Sequence, residues 1–505
     1  MKQNREISAE EMAQQQDYIR KIRAVTESRA SQPLAFVETY GCQQNTSDSE
    51  KIKGMLFEMG YGFCDDVLHA DLVIYNTCAV RENAELRVFG NLGALKHQKR
   101  RRPDMIIGVC GCMMQQAHIA ETVQRKYTHV DLVFGTHALY RLPELLYGVM
   151  QKQRVFATEN EDGRIAEEIS YFRSKPPLAK IPIMYGCNNF CTYCIVPYVR
   201  GRERSRDAEH ILDEVREVAQ KGYREVMLLG QNVNSYGNDL ESGLSFAALL
   251  QAVCRTDGIE RVRFMTSHPK DLSDELIAVM ASEKKICKQL HLPVQSGSDR
   301  VLKAMNRKYT RDQYLSLVKK VRAAMPEIVL TTDIIVGFPG ETDADFAETV
   351  SLLKEVEYDT IFSFIYSKRN GTPAAKMPDV MDEAQKHQNF EAMLAVQNEI
   401  SRRKNDAYLG RTETVLVEGF SKNNRETLTG RTEGGKVVNF PGGKEQIGQM
   451  VKVKITKTQT WSLFGEMIEE EENGSIYFKS DSQTRDGSGV FRNCHRTGKG
   501  RGHRR

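Results

Sequence analysis

The sequence contains no run of eighteen apolar residues, and its first segment, MKQNREISAEEMAQQQ, has no apolar stretch resembling a secretory signal. These absences predict neither a membrane span nor export, so we expect a cytoplasmic protein. The formal charge of +4 is too small to identify a partner. Eleven cysteines are an odd number, and a reducing compartment disfavours disulfides, so clustered thiols predict metal or redox chemistry.

The N-terminal part of the chain predicts an α/β domain. Residues 1–32 are polar and predict a leader or mobile arm. Over residues 33–152, short apolar strands such as LAFVETY and DLVIYNT alternate with amphipathic helices, which indicates βαβ units and a parallel sheet. The charged stretch ATENEDGR and the pair Pro176-Pro177 predict a linker over residues 153–176.

The remainder predicts two further domains and a tail. Residues 177–407 contain six successive βα units, which favour a partial barrel over a doubly wound sheet. Residues 408–471 are rich in Val, Thr and Gly and predict a small β-barrel. Residues 472–505 are rich in Ser, Gly and Arg and predict a disordered tail. The fold class is therefore α/β with a C-terminal β-barrel.

Three cysteines of the segment GCNNFCTYC, namely Cys187, Cys191 and Cys194, follow the first predicted barrel strand. The spacing C-x3-C-x2-C suits three irons of a [4Fe-4S] cluster whose fourth iron stays open. Structural zinc is an alternative, but a closed zinc site needs four ligands, and no Cys or His at the usual spacing completes one. The other alternative is three unrelated buried thiols, which is disfavoured because the loop that carries them is polar.

A second set of cysteines lies in the N-terminal domain. Cys42, Cys78 and Cys112 each follow a predicted strand, at separations of 36 and 34 residues, about one βα repeat. Because the carboxyl ends of parallel strands share one sheet edge, these thiols should converge and bind a second cluster. The alternative is that the three thiols merely pack in the hydrophobic core. Cys110 is a rival to Cys112 as the third ligand, but it lies inside the apolar run. The other cysteines show no partner spacing and predict ordinary thiols: Cys64, Cys254, Cys287 and Cys494.

The cysteine loop is similar to the signature of radical S-adenosylmethionine enzymes. Further motifs between about residues 34 and 468 resemble those of one family in that class, the methylthiotransferases: TYGCQQNTSDSE, NTCAVRENAELRVFG, HLPVQSGSDRVLKAMNR, DIIVGFPGET and FSFIYSKRNGTPAA. The resemblance implies that Cys187, Cys191 and Cys194 bind the radical cluster. It implies that the other triad, Cys42, Cys78 and Cys112, binds an auxiliary cluster that handles sulfur. The implied cofactors are two [4Fe-4S] clusters and S-adenosylmethionine.

The family chemistry replaces a C–H hydrogen with sulfur. Adenine C2 has no leaving group and a strong C–H bond, so side-chain acids and bases cannot do this, and a cofactor must supply a radical route. The resemblance implies two S-adenosylmethionine molecules per product, an external electron donor and a sulfur source. We expect no protein residue to act as general acid or base, and we expect a monomer.

Four polar or aromatic residues are candidate S-adenosylmethionine contacts. Tyr193 lies between two cysteines and resembles a family aromatic that meets the adenine, with simple packing as its alternative. Gln231 and Asn232 end the second barrel strand, and Asp333 lies in the fifth. These polar groups could face the barrel mouth, or could make ordinary turn and core hydrogen bonds.

Local basic segments bear on a nucleic-acid partner. Four arginines alternate in VRGRERSRD, at positions 200, 202, 204 and 206, and would share one face if the segment is extended. They could hold RNA phosphate or the cofactor carboxylate, with solvated surface charge as the alternative. The run KHQKRRR, at a helix end, is weaker evidence. Residues 408–468 carry nine Lys and Arg against six Asp and Glu and resemble the TRAM domain, an RNA-binding barrel. We therefore expect tRNA as substrate.

Three functional hypotheses remain. The leading one is methylthiolation of isopentenylated adenosine beside the tRNA anticodon, favoured by QQN after Cys42 and by the basic barrel. The second is the same chemistry on a ribosomal-protein aspartate or on threonylcarbamoyladenosine. The third is a non-catalytic iron-sulfur protein that binds RNA.

Overall fold

The structure, a computed structural model, describes residues 6–80, 82–159, 163–173, 175–422 and 424–468. The predicted tail over residues 472–505 lies outside these ranges. The helices are α1 (Ala9–Glu27), α2 (Gln43–Glu58), α3 (Glu82–Arg101), α4 (Ala117–Lys126), α5 (Leu142–Met150), α6 (Val196–Arg200), α7 (Ala208–Gln220), α8 (Phe246–Cys254), α9 (Asp274–Ser282), α10 (Asp299–Ala304), α11 (Arg311–Ala324), α12 (Asp343–Val356) and α13 (Glu383–Asp406).

The strands of the first domain are β1 (Leu34–Tyr40), β2 (Gly62–Phe63), β3 (Leu72–Thr77), β4 (Ile106–Gly111), β5 (Leu132–Phe134) and β6 (Val155–Ala157). They form one parallel sheet in the order β2-β1-β3-β4-β5-β6. Helices α1, α2 and α5 pack on one face and α3 and α4 on the other, so apolar cores cover both faces. The predicted parallel α/β domain is confirmed.

Two expectations for this region are wrong. Residues 9–27 are not a mobile arm, because Ile19 and Ile22 of α1 are buried in the core shared with α5. A capping box between Ser8 and Glu11 fixes the start of this helix. The predicted linker over residues 153–176 also begins too early, since β6 pairs in register with β5 and completes the sheet.

The second domain is a partial barrel. Its main strands are β7 (Leu178–Pro182), β10 (Glu225–Leu229), β11 (Arg261–Met265), β12 (Gln289–His291), β13 (Val329–Val336) and β14 (Thr360–Ile365), and a short hairpin joins β8 (Met184–Tyr185) to β9 (Arg204–Ser205). Two parallel sheets, β11-β10-β7 and β12-β13-β14, adjoin through a parallel bridge between Val262 and Ile286. Six βα units thus form the predicted partial barrel.

Strand alternation fixes what faces the barrel lumen. Val226 and Ile334 are fully buried in the core shared with the outer helices. Their sequence neighbours Glu225 and Asp333 therefore point inward, towards the lumen.

The third domain is a closed five-stranded barrel of β15 (Thr412–Ser421), β16 (Asn424–Thr432), β17 (Val437–Pro441), β18 (Met450–Thr458) and β19 (Leu463–Met467), in the order β15-β16-β17-β19-β18. Arginines of β11 attach it to the partial barrel. Arg263 donates to the carbonyls of Thr432 and Glu433 at 2.7 and 2.8 Å, and Arg261 donates to that of Arg431 at 2.8 Å. The small barrel thus packs at the amino-terminal end of the strands. None of the described helices is long and apolar enough to cross a membrane.

Candidate functional site

The first cysteine triad lies on the loop between β8 and α6. Gly186 directly precedes Cys187 with φ +77°, and a Cβ there would lie 2.0 Å from the carbonyl oxygen of Arg202. Its amide donates to Oε1 of Gln231 at 2.7 Å, and the amide of Cys187 donates to the Gly201 carbonyl at 3.2 Å. The loop therefore returns on itself, which only glycine permits at this position.

Two distant motifs hold the same loop. The amide of Thr192 donates to the Met305 carbonyl at 3.1 Å, and the amide of Ala374 donates to the Thr192 carbonyl at 2.9 Å. Asn306 donates to the Phe190 carbonyl at 3.0 Å. The segments AMNR and GTPAA, noted above as family motifs, thus fix the cysteine loop in place.

The thiols of this loop are close neighbours, with Cys191 buried and Cys187 and Cys194 half-buried. Burial raises the pKa of Cys187 to about 11 and that of Cys194 to about 12, and interaction with Cys191 adds to both shifts. Buried Arg307 donates to Sγ of Cys191 at 3.4 Å. The loop therefore gathers three thiols in one place, and a thiol must lose its proton to bind a metal.

Strand register brings the second triad together. Tyr40, Thr77 and Gly111 are aligned on the adjacent strands β1, β3 and β4. Cys78 and Cys112 are the residues that directly follow two of these positions, and Cys42 lies two residues beyond the third. The burial of Cys112 raises its pKa to about 12, Arg200 opposes the shift, and Cys78 and Cys42 add to it. The strand ends that precede these cysteines are thus aligned at one sheet edge, while the role of the three thiols as ligands of one cluster stays a prediction.

A buried amide network supports this sheet edge. Cys42 donates to Oδ1 of Asn45 at 3.3 Å, and Nδ2 of Asn45 donates to Oδ1 of Asn76 and to the Thr77 carbonyl, both at 3.1 Å. Gly111 has φ +95°, and a Cβ there would lie 2.4 Å from Oδ1 of Asn76. A side chain at Gly111 would therefore displace the network or Cys112.

The remaining cysteines are placed as ordinary thiols where the structure describes them. Cys110 points into the core beneath α2 and α5, whereas Cys112 packs with Ala79, Ile195 and Val199. No disulfide forms among the ten described cysteines. Cys64 is partly buried and Cys254 and Cys287 are buried; Cys494 lies outside the described residues.

The four predicted cofactor contacts differ in what they do. Gln231 holds Gly186 of the cysteine loop, as described above. Buried Asn232 donates to Asp271 at 2.7 Å, while its Oδ1 has no hydrogen-bond partner in the described part of the chain. Tyr193 packs in a small apolar cluster with Phe338, at a ring distance of 6.5 Å. Asp333 lies in the lumen, one quarter exposed, 3.5 Å from Nε2 of His291.

The sequence interpretation missed an aromatic wall in the lumen. Phe362 and Phe364 of β14 are 46% and 48% exposed. Phe362 pairs in register with Asp333, Phe364 pairs with Ile335, and the Phe362 ring contacts His291 at 5.5 Å. The alternation in IFSFIY was the available signal, since these phenylalanines are the inward positions of the strand.

The proposed arginine stripe is wrong for two of its members. Arg200 and Arg206 are buried and form ion pairs, Arg200 with Asp48 and Arg206 with Glu167 and Glu214. They cannot contact RNA on a shared surface. The run KHQKRRR ends α3 at the opposite edge of the sheet from Cys78, so it is remote from the thiols.

The donor set fits iron-sulfur clusters. Besides the three thiols in each triad, donors point at sulfur: the Val80 amide lies 3.3 Å from Sγ of Cys78, and Asn189 lies 3.5 Å from Sγ of Cys187. Among the described residues, no three His, Cys, Asp or Glu side chains are arranged around a single ion. Thiolates of a four-iron cluster bind different irons and need not meet at one point, so the zinc alternative gains no support.

Comparison with known proteins identifies the class. The family model of the Radical SAM superfamily matches residues 181–353, that of Uncharacterized protein family UPF0004 matches residues 35–135, and that of the TRAM domain matches residues 406–468. The partial barrel with its cysteine loop thus defines an enzyme of the radical S-adenosylmethionine class, a transferase. This class implies one [4Fe-4S] cluster and S-adenosylmethionine.

Close relatives define the family. The tRNA-2-methylthio-N(6)-dimethylallyladenosine synthase of Acetivibrio thermocellus is 53% identical over 467 residues, 92% of this chain and 97% of that protein. The synthase of Clostridium botulinum (strain Okra / Type B1) is 55% identical over 434 residues, 86% of this chain and 96% of that protein. The chain belongs to this family of methylthiotransferases.

A solved structure supports the fold. The radical S-adenosylmethionine methyltransferase TsrM from Kitasatospora setae gives a TM-score of 0.51 at 15% identity, covering 68% of this chain and 75% of that chain. This likeness concerns the fold alone.

Proposed function

We propose that this protein adds a methylthio group to C2 of N6-dimethylallyladenosine beside the anticodon of tRNA. Its relatives carry this activity in their names. The observation that carries the proposal is the packing of the segment after the first cysteine triad against the second triad. Ile195, which follows Cys194, packs in one buried cluster with Ala79, which follows Cys78, and with Cys112. Radical and sulfur chemistry would then occur side by side.

In this proposal Cys187, Cys191 and Cys194 hold the radical cluster, and Cys42, Cys78 and Cys112 hold an auxiliary cluster. When bound, the clusters and two S-adenosylmethionine molecules supply the radical, the sulfur and the methyl group that acid-base chemistry cannot provide. The protein residues hold these groups, orient the adenosine and limit the access of water. No side chain needs to act as general acid or base.

The lumen residues orient the cofactor and the substrate. Asn232 offers a buried carbonyl oxygen without a described partner, which a donor on the cofactor could occupy. Gln231 acts indirectly by holding the loop. Asp333 lies in the lumen beside His291, Tyr193 packs in the apolar cluster with Phe338, and both remain proposed contacts.

Phe362 and Phe364 form the proposed wall for the prenyl group. They are the exposed aromatic surface on the inward face of β14, and an apolar chain gains by covering them. Burying about three of its carbon groups would contribute about 2.4 kcal/mol, roughly a fifty-fold preference for the prenylated base.

The proposal includes partners outside the chain: an external electron donor, a sulfur source and tRNA, with the protein a monomer in the cytoplasm. The small C-terminal barrel would contribute to tRNA binding. Lys452 and Lys454 are exposed at alternate positions of β18 and could neutralise phosphates.

The test uses the purified full-length protein with reductant, sulfide, S-adenosylmethionine and one tRNA, with or without isopentenyladenosine. We expect methylthiolation of the prenylated tRNA and a far slower reaction of the unprenylated one, measured by mass analysis of nucleosides. Equal rates on the prenylated and the unprenylated tRNA would contradict the proposed prenyl pocket. Modification of a ribosomal protein without change in tRNA would overturn the proposed substrate.

The aromatic wall is tested with Phe362→Ala and Phe364→Ala. Each should reduce the preference for prenylated tRNA, because apolar contact is lost while the clusters remain. Phe57→Ala is the matched control, since Phe57 is exposed on α2, in the N-terminal domain. An unchanged preference in both wall variants would contradict their role.

A further inference from the structure

One arginine of the radical domain contacts the second cysteine triad. Helix α6 (Val196–Arg200) begins two residues after Cys194 and ends at Arg200, which is 5% exposed. Nε of Arg200 donates to Sγ of Cys112 at 3.1 Å. The contact spans the boundary between the two domains, because Cys112 belongs to the N-terminal sheet.

The guanidinium lies between a sulfur and a carboxylate. Its terminal nitrogen donates to Oδ2 of Asp48 at 2.6 Å, and both side chains are buried, at 6% and 8% exposure. A guanidinium stays protonated in proteins, and the Asp48 carboxylate balances the buried charge of Arg200. Arg200 is therefore a buried cation directed at the triad.

The apolar surroundings of Arg200 strengthen the electrostatic effect of its charge on the triad. Ile195 and Val199 of the same segment pack against Ala79 and Cys112, so water is excluded on this side of the sulfur. In such an environment the field of one charge is screened far less than at a surface. The same helix couples the position of Cys112 to that of Cys194.

We propose that Arg200 is a positioning residue that sets the reduction potential of the auxiliary cluster and fixes that cluster against the radical loop. The proposal rests on the ligand set of the proposed function. Reduction adds negative charge to a thiolate-bound cluster, and an N–H···S bond from a cation stabilises that charge, so Arg200 raises the potential. Asp48, on the far side of the guanidinium, opposes this effect.

Because Arg200 and Asp48 carry opposite charges, substitutions at the two positions should shift the midpoint potential of the auxiliary cluster in opposite directions. Arg200→Lys keeps a charge but loses the planar donor to sulfur, so the midpoint potential should become more negative. Asp48→Asn removes the compensating anion, so the potential should become more positive. If the two substitutions merely loosened the site, the midpoint potential would not shift in opposite directions in the two variants.

Arg206 provides the matched control. It is 4% exposed and lies six residues beyond Arg200, but its described partners are Glu167, Glu214 and the Pro182 carbonyl. Arg206→Lys therefore perturbs an equally buried ion pair without touching sulfur. We expect it to leave the potential unchanged.

The experiment measures the auxiliary cluster alone. Full-length protein with Cys187, Cys191 and Cys194 replaced by Ala is reconstituted with iron and sulfide, and its midpoint potential is determined by a redox titration followed by electron paramagnetic resonance. Opposite shifts for Arg200→Lys and Asp48→Asn, with Arg206→Lys unchanged, support the inference. Equal potentials in all proteins, or shifts of one sign, would overturn it.

Iron content separates this inference from the proposed function. A triple-alanine background that binds iron but shows no shift in either variant would refute only the role of Arg200. A background that binds no iron would refute the auxiliary ligand set itself, and the assignment of Arg200 with it.

Discussion

The chain brings the cysteines of the two triads together in different ways. Cys187, Cys191 and Cys194 lie within eight residues of one loop, so local chain geometry gathers them. Cys42, Cys78 and Cys112 span 71 residues, and only the register of β1, β3 and β4 brings them together. The first triad should therefore tolerate change in the sheet, whereas the second depends on the whole domain.

The triads also share two local devices. A glycine with positive φ precedes a cysteine in each: Gly186 before Cys187 and Gly111 before Cys112. A buried arginine donates to one sulfur of each triad, Arg307 to Cys191 and Arg200 to Cys112. These parallels allow each triad to be disturbed separately by one type of change.

The largest expected effects come from the glycines. Gly186→Ala should abolish cleavage of S-adenosylmethionine, because the strained backbone costs about 1–3 kcal/mol and its Cβ would meet the Arg202 carbonyl at 2.0 Å. Gly111→Ala should instead remove iron from the auxiliary site. Iron content and cofactor cleavage of the two full-length variants distinguish these outcomes.

Gly108→Ala is the control for Gly111→Ala. Gly108 lies on the same strand, and a Cβ there would contact Ile74 at an ordinary 3.5 Å. It should retain iron at both sites. If either Gly186→Ala or Gly111→Ala lost both clusters, the claim that the two triads can be disturbed independently would be contradicted.

A smaller effect is expected from Arg307→Lys. Arg307 also donates to the Pro293 carbonyl at 2.6 Å and to the Tyr309 hydroxyl at 2.7 Å, which a lysine cannot reproduce together. We expect about a tenfold slower cofactor cleavage, which corresponds to about 1.4 kcal/mol, with auxiliary iron retained. Arg300→Lys on α10 changes an exposed arginine whose partners are Asp345 and the Gly340 carbonyl, with no contact to sulfur in the described residues, and should match the wild type. Equal rates for both variants would contradict the role of Arg307.

The smallest effect is expected at Cys110. This thiol lies two residues from Cys112 but points into the opposite core. Cys110→Ala should keep full iron content and lower the free energy of unfolding by about 1 kcal/mol. Loss of auxiliary iron in this variant would show that the wrong cysteine was chosen.

The sequence predicted the features that repeat along the chain. Strand-helix alternation indicated both parallel domains, and cysteines at strand ends indicated the second triad, because topology places strand ends at one edge. It failed for α1, whose polar composition hid the buried pair Ile19 and Ile22. It also failed for β6, a three-residue strand beside a charged segment.

Contacts between distant residues could not be predicted. Arg200 and Asp48 are 152 positions apart, so alternation with Arg202 and Arg204 favoured an exposed stripe although the partner is buried. Arg307 is likewise 116 positions from Cys191. Single-sequence patterns carry no record of such tertiary pairs.

The most direct test of the central claim is the iron content of three full-length proteins, together with their cleavage of S-adenosylmethionine. The wild type should bind roughly eight irons, since each triad can anchor a four-iron cluster. Replacing Cys187, Cys191 and Cys194 with Ala should halve the iron and abolish cleavage, while replacing Cys42, Cys78 and Cys112 should halve the iron and leave cleavage measurable. Full iron content in both triple variants would contradict the assignment of two separate clusters.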